Sequence, residues 1–293
     1  MTARPRAAWW FVSPALIALV VFFVVPVAAA LALSFTDFDL YGIADRGNVR
    51  FIGLANYHRL LETPLFWTAL RNTAFFVIVG GPLSIAVSLG TALLLNARLA
   101  RARGAFRTAL FAPVVTTVVA VAVIWRYIFH TRYGFLNYVL GWFGIDAVDW
   151  LGDPHCSMPA MIVFAVWKNF GYNMIIFVAG LQAIPDDRYE AARLDGANRL
   201  QQFRYITLPA LAPTMLLVTI ITMVGYFQLF AEPYVMTRGG PAESTTSVLY
   251  FMFEEGFKWW NLGFASAVAF VLFAIMLAGT ALQLDLARRW SRA

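Results

Sequence analysis

Six apolar runs, each some twenty or more residues long and parted by polar connections, leave this chain few ways to fold. They cover about residues 10–33, 73–95, 106–129, 158–181, 208–230 and 263–284. A helix of roughly 20 residues crosses a hydrocarbon layer about 30 Å thick. Lipid offers no hydrogen-bond partners, so a spanning segment must satisfy its own backbone, which selects helices over open strands. The expected fold is all-α: a polytopic membrane protein with six transmembrane helices in one domain, residues 1–293. Composition agrees, with 61% hydrophobic and 13% charged residues against about 25% charged in soluble domains. The first run follows Arg4 and Arg6 and leads to Ala28-Ala29-Ala30, the outline of a secretory leader. It exceeds the roughly 7–15 residues of a signal core and reads as a retained span.

Charge assigns the sides. Arginines gather at Arg4 and Arg6, at Arg98, Arg101, Arg103 and Arg107, at Arg188, Arg193, Arg199 and Arg204, and at Arg288, Arg289 and Arg292. The alternate connections carry mostly acids, among them Asp37, Asp39, Asp146, Asp149, Asp153, Glu232 and Glu243. The arginine excess places both termini in the cytoplasm, as an even number of spans requires. The net charge of +6 belongs to this asymmetry and not to nucleic acid. Trp9, Trp10, Trp67, Trp125, Tyr127, Trp259 and Trp260 fall near span boundaries, where amphipathic rings favour the headgroup layer. The basic residues from Arg98 to Arg107 suit contact with anionic membrane lipid. Cys156 is the single cysteine, and His58, His130 and His155 are scattered, so neither a disulfide nor a metal site is expected.

The outer connections, roughly 34–71, 130–157 and 231–262, are long and contain turn formers such as Gly152-Asp153-Pro154 and Gly239-Gly240-Pro241. They can receive a soluble partner or cap the bundle. The inner connection at 184–209 is more specific. Ile184-Pro185 ends the fourth run, since proline disfavours a helical predecessor. Asp186 or Asp187 can accept orphan N–H groups at a new helix start. Ala191 and Ala192 keep one face low, and Gly196 permits a sharp bend. Phe203, Ile206 and Leu208 resume an apolar face, and Pro209 opens the fifth run. Such a short surface helix is either a docking element or an ordinary loop helix.

Ile184-Pro185, Glu190-Ala191-Ala192, Asp195-Gly196-Ala197, Phe203, Ile206 and Leu208-Pro209 together resemble the EAA loop of importer permeases in the ATP-binding-cassette (ABC) superfamily. Phe51-Ile52-Gly53-Leu54-Ala55-Asn56-Tyr57, Trp67 through Asn72, Met236-Thr237-Arg238-Gly239-Gly240-Pro241 and Gly263 with Ala265-Ser266-Ala267 are similar to the carbohydrate-importer branch. The resemblance implies a membrane subunit that pairs with a second, homologous permease. It would sit on two ATPase subunits and receive sugar from an extracytoplasmic substrate-binding protein in the inner membrane of a bacterial cell. ATP and Mg would belong to the partner subunits, with no cofactor on this chain and no enzyme activity of its own. The chain accordingly has no GxxxxGK(S/T) phosphate loop. Carried over residue by residue, the resemblance makes Glu190, Ala191, Ala192, Arg193, Asp195, Gly196 and Ala197 the ATPase-coupling residues. For Arg193 and Arg199, ordinary inside-positive surface charge is the competing account.

Candidates for the substrate path lie in the fourth and fifth runs. Trp167, Lys168 and Asn169 are followed one turn on by Tyr172 and Asn173, and Tyr226 and Gln228 come near the end of the fifth run. An ionisable residue within a span is costly and by default functional. Lys168 and Tyr172, four apart, share a face. Rings and amides together suit sugar, which is read by hydroxyl hydrogen bonds and apolar stacking. Lys168 can instead neutralise a carboxylate or meet backbone carbonyls between spans, and Gln228 needs a partner in sugar or a neighbouring helix. Asn72 and Gly80-Gly81-Pro82 suggest a helix contact and a kink. The leading function is ATP-driven uptake of a sugar, a di- or oligosaccharide. Import of glycerol phosphate or a polyol is the alternative. An ion-coupled secondary carrier is more distant, since no span carries a carboxylate in mid-course.

Overall fold

The computed structural model describes residues 5–96 and 103–290. Arg4, Arg98, Arg101 and Arg292 lie outside the described residues, as do the side chains of Arg6, Arg103 and Arg289. The regular structure is helical, and the β structure among the described residues is an isolated bridge between Thr36 and Phe51. In chain order, α1 (Trp9–Leu33) precedes the short α2 (Ala55–Glu62), and α3 (Pro64–Asn96) follows at once. Next come α4 (Arg103–Val115), α5 (Val118–Ile128), the short α6 (Phe135–Gly141) and the long α7 (Pro154–Gln182). Then follow α8 (Asp186–Leu194), α9 (Arg199–Ala210), α10 (Ala212–Phe227), α11 (Val248–Phe253) and α12 (Leu262–Trp290). Helices α1, α3, α7 and α12 are each long and apolar enough to cross a membrane, and the described residues reach six such spans if two bent pairs count as one each.

Those bends correct the expectation of simple helices at 106–129 and 208–230. Helices α4 and α5 meet at 99°, and α9 and α10 at 68°. The first break follows Pro113 and falls inside Val114-Val115-Thr116-Thr117-Val118-Val119, an unbroken run of β-branched residues. Such side chains crowd the preceding helical turn, and Thr117 adopts extended backbone with φ −71° and ψ 133°. The second break lies at Leu211, between Pro209 and Pro213. Pro213 has no N–H to offer the Pro209 carbonyl, so a straight ladder cannot pass. Elsewhere the ends move: α3 begins at Pro64 rather than 73, α10 stops at Phe227 rather than 230, and α12 runs on to Trp290.

Proline leaves a milder mark at three places. Widened, π-helical turns cover Val20–Val24, Phe76–Gly80 and Phe203–Thr207. Each ends two residues before a proline: Pro26, Pro82 and Pro209. The wider turn carries the carbonyl that would collide with the ring away from it, so the helix continues through a residue that cannot donate. At Gly80-Gly81-Pro82 the expected kink is thus a widened turn.

The chain divides into two compact units, Met1–Trp67 with Phe251–Ala274 and Thr68–Tyr250 with Ile275–Ala293. In the larger unit α7 is the hub. Its Met158, Met161, Phe164 and Ala165 bury against Phe76 and Val77 of α3, Val121 of α5 and Tyr226 of α10. Further along, its Met174, Phe177 and Leu181 bury with Ala92 and Leu95 of α3 and with Leu211 and Val218. Polar side chains stitch these apolar faces. Ser88 Oγ donates to the Phe170 carbonyl at 3.0 Å, and Asn72 Nδ2 donates to the carbonyls of Glu243 and Thr246 at 2.8 and 3.0 Å. Asn72 thereby holds the 237–247 connection, while Thr73 Oγ1 accepts the N–H of Val248 at 3.0 Å.

In the smaller unit the connection after α1 is tied by Asn56, whose Nδ2 donates to Ser34 O at 2.9 Å and Thr36 O at 2.8 Å. The Ser34 and Tyr57 hydroxyls lie 2.8 Å apart. Gly263 at the start of α12 has the Thr36 carbonyl oxygen 2.3 Å from where a Cβ would stand. Gly263→Ala is therefore expected to lower the unfolding temperature of the detergent-purified protein. Gly90→Ala, with nothing within 4 Å of its added carbon, should hold or raise stability, by up to about 1 kcal/mol, as helical Gly-to-Ala changes do.

Candidate functional site

Helix α8 stands in a polar segment exposed along most of its length. Its N-cap is Pro185 with no side-chain cap bond, so Asp186 and Asp187 act through their charge in the first turn and not as caps, contrary to expectation. The C-terminal end is built more strictly. Gly196 N–H donates to Arg193 O at 3.1 Å and Ala197 N–H to Ala192 O at 2.8 Å. This is a Schellman closure, which needs a left-handed residue after the cap; Gly196 supplies it with φ +79°. Asn198 then starts α9 with a capping box, exchanging bonds of 2.9 and 2.8 Å with Gln201. Gln202 Nε2 donates to Ala197 O at 2.7 Å, and the Tyr189 and Thr207 hydroxyls meet at 2.9 Å. The segment is a closed, internally bonded knob.

Glu190, Ala191, Arg193, Asp195 and Gly196 are exposed on it, and Ala192 and Ala197 are half-buried. Arg193 bonds the Tyr189 carbonyl at 3.0 Å and lies 4.0 Å from Glu190, a contact too exposed to contribute much. Sequence reasoning missed the exposed apolar side chains on this surface. Leu194 is 90% exposed, and Leu200 and Tyr205 are largely exposed too. Leu194 sits inside the motif; its signal was an apolar side chain on an otherwise polar helix. Between α8 and α9 runs a groove of about 490 Å³ lined by Arg188, Ala191, Ala192, Asp195, Tyr205 and Ile206, with Pro209 and Ala210 at its end.

The intramembrane candidates separate. Asn169, Tyr172, Asn173 and Tyr226 line one pocket of about 230 Å³ with Val114, Ile221, Thr222 and Gly225. Asn173 Nδ2 donates to Thr222 Oγ1 at 2.8 Å, joining α7 to α10, and Asn169 Nδ2 returns to its own helix at Ala165 O, 2.9 Å. Tyr226 is only 4% exposed, stacks on Phe76 at 4.9 Å and fills the space beside Gly80, where a Cβ would lie 2.7 Å from its ring. Its hydroxyl and that of Ser84 are buried without a hydrogen bond of normal geometry.

Three candidates lie elsewhere. Trp167 packs against Trp125, ring centroids 5.2 Å apart, at the edge of the apolar core. Lys168 is 8% exposed and donates to Pro113 O at 2.7 Å and Val114 O at 3.1 Å, so its carbonyl partners are those of the broken third span. Gln228 was expected to be buried; it is exposed, because α10 ends at Phe227 and leaves it as the C-cap. Just beyond, burial raises the Glu232 carboxyl above the usual carboxylate range, against the pull of its own backbone amide and of Lys168. Among the described residues no group of three or more His, Cys, Asp or Glu is placed to hold a metal ion.

Residues 85–292 match the model of the binding-protein-dependent transport system inner membrane components. The chain belongs to this family. It is a permease subunit of an ABC importer, an all-α, multi-pass bacterial membrane protein and a transport subunit rather than an enzyme. The permease is 34% identical over 277 residues to the arabinooligosaccharides transport system permease protein of Halalkalibacterium halodurans, covering 94% of this chain and 85% of that one. It is 35% identical over 286 residues to the lactose transport system permease protein of Rhizobium radiobacter, covering 96% and 93%. To the sulfoquinovosyl glycerol transport system permease protein of Agrobacterium fabrum it is 33% identical over 276 residues, covering 94% and 88%. The resemblance to the carbohydrate-importer branch thus holds. In fold, the permease superposes on a chain of a bacterial ABC transporter that imports the acidic polysaccharide alginate, with a TM-score of 0.80 at 22% identity over 98% of this chain and 96% of the other. The type I importer permease fold follows.

Gly196 gives a direct check on the knob. Nothing lies within 4 Å of an added Cβ there, so Gly196→Ala is opposed by backbone conformation alone, about 1–2 kcal/mol for a left-handed residue. Amide exchange in residues 192–198 should quicken in that variant, and Gly196→Asn should show a smaller change.

Proposed function

We propose that this permease forms one half of the translocation path for a neutral sugar, a di- or oligosaccharide, and couples to a separate ATPase through residues 184–209. The observation that carries the substrate class is the pocket between α7 and α10. It joins Asn169, Tyr172, Asn173, Thr222 and Tyr226, and its lining contains amides, hydroxyls and rings but no basic side chain. Hydroxyl-rich ligands suit such groups, and the Tyr226 hydroxyl, buried beside that of Ser84, adds a donor and acceptor. Lys168, which would favour an anion such as glycerol phosphate, directs its ammonium to protein carbonyls. Relatives named for arabinooligosaccharides and lactose support the same class.

In this reading the six spans form a single domain, with both termini and the knob on the cytoplasmic side of the inner membrane. A second homologous permease completes the path, two ATPase subunits hold ATP and Mg, and an extracytoplasmic protein delivers the sugar. Glu190, Arg193 and Asp195 present charge to the ATPase, Ala191, Ala192 and Ala197 admit it closely, and Gly196 closes the helix. Leu194, exposed in this chain, supplies the apolar anchor of that contact. Nucleotide binding then biases a two-state bundle through a rigid handle.

The test is reconstitution with the partner subunits and a panel of sugars delivered by the binding protein. Glu190→Ala and Leu194→Asp should leave membrane insertion intact and cut ATPase association or stimulated turnover by about tenfold or more, as loss of an interface hot spot does. Normal transport by both variants would remove the coupling assignment. Asn173→Ala and Tyr226→Phe should keep ATPase association and reduce sugar flux. Equal flux in both would move the substrate path elsewhere.

A further inference from the structure

Helix α7 meets the backbone of α4 at two points one turn apart. At Lys168 the ammonium reaches the carbonyl oxygens of Pro113 and Val114, 2.7 and 3.1 Å away. At Gly171 an added Cβ would stand 2.4 Å from the Leu110 carbonyl oxygen and 3.2 Å from Phe111 Cα. Positions three apart lie on one helical face, so a single face of α7 runs against a single face of α4. A glycine brings the two backbones together at one end of the contact, and an ammonium joins them at the other.

The ammonium answers a specific need. Helix α4 ends at Val115 because α5 departs at 99°. The last turn of a helix leaves carbonyls without intrahelical donors and carries the negative end of the dipole. Inside a membrane no bulk water serves them. Thr116 reaches back to Pro113 O with its N–H at 3.3 Å and its hydroxyl at 2.6 Å. Lys168 donates to Val114 O at 3.1 Å. Val114 is also a wall of the pocket between α7 and α10.

From this geometry we infer that Lys168 is a positioning residue of the transport cycle: its ammonium caps the half-helix α4, binds α4 and α7 into one moving body, and sets the hinge of the third span at Thr116–Thr117. The inference rests on the pocket reading above, to which it adds the element that holds the pocket wall. Lys168 acts through α4 and does not touch the sugar. Helix α7 leads through Ile184-Pro185 into α8, so a displacement imposed on the knob carries α7 and, through Lys168 and Gly171, α4 with it; α5 packs on α7 separately, through Val121 and Trp125.

The test uses the assembled importer. Cys156 is the chain's single cysteine, so Cys156→Ser gives a background for spin labels at Phe106 on α4 and Tyr127 on α5, both exposed. In that background the distance distribution between the labels is expected to be narrow. Lys168→Met should broaden it and lower binding-protein-stimulated turnover about tenfold, the scale of one buried group left unsatisfied. Lys168→Arg, which keeps the donors, should recover most of the narrowness. Should Lys168→Met fail to assemble, Gly171→Ala tests the same body from its other contact and should broaden the distribution with Lys168 intact. A narrow distribution in Lys168→Met or, where that variant does not assemble, in Gly171→Ala overturns the inference, as does lost turnover without broadening, which would make Lys168 a sugar contact. The label distances need no sugar, so failure of the pocket reading would appear separately, as unchanged flux in the pocket variants.

Discussion

A helix that breaks inside a membrane must find hydrogen-bond partners in its own protein, and that requirement organises much of this permease. Among the described residues two spans are broken, and both breaks are answered from within. At the first, Thr116 and Lys168 meet the carbonyls at the end of α4. At the second, Leu211 N–H bonds back to Thr207 O at 2.9 Å, and Met215 N–H takes up the Leu211 carbonyl at 2.7 Å. Before Pro26, Pro82 and Pro209, where the helix is not broken, a widened turn absorbs the missing donor. Buried polar side chains such as Asn72, Ser88 and Asn173 serve the same end, each with a partner on another segment.

This constraint also explains why the site divides as it does. The polar side chains of the pocket gather where α7 faces α10, while Lys168 is drawn off to the backbone of α4. Lys168 stands between Trp167 and Asn169 in the chain, yet the helix sends the three in different directions. Lys168 caps α4, Asn169 lines the pocket, and Trp167 packs on the core. Adjacent residues on a helix point about 100° apart, so neighbours in sequence seldom share a site. The knob at 184–209 follows another rule. It lies in a polar segment where solvent can serve its backbone, and it is nonetheless closed by its own bonds at Gly196, Asn198 and Gln202. Internal closure fixes the path of the chain from α8 into α9.

Much of this was legible before the fold was known. The apolar runs marked the helices, proline marked the end of the fourth run, and Gly196 marked the bend that its positive φ now accounts for. The bend in the third span also had a signal, the β-branched run after Pro113, which hydropathy does not register because valine and threonine there continue an apolar stretch. Gln228 was misjudged because a helix end displaced by three residues moves a side chain from the interior to the surface. The exposed Leu194 was hidden by the motif around it.

What the sequence determined by itself is local: apolar length set the spans, arginine distribution suggested their direction, and glycine and proline set the turns, since each acts within a few residues of chain. What the tertiary structure decided is which groups meet. Lys168 finds carbonyls 54 and 55 positions away, and Asn72 finds its partners 171 and 174 positions away. Those partners are backbone atoms, which carry no residue identity, and only the packing of one helix against another brings them within reach.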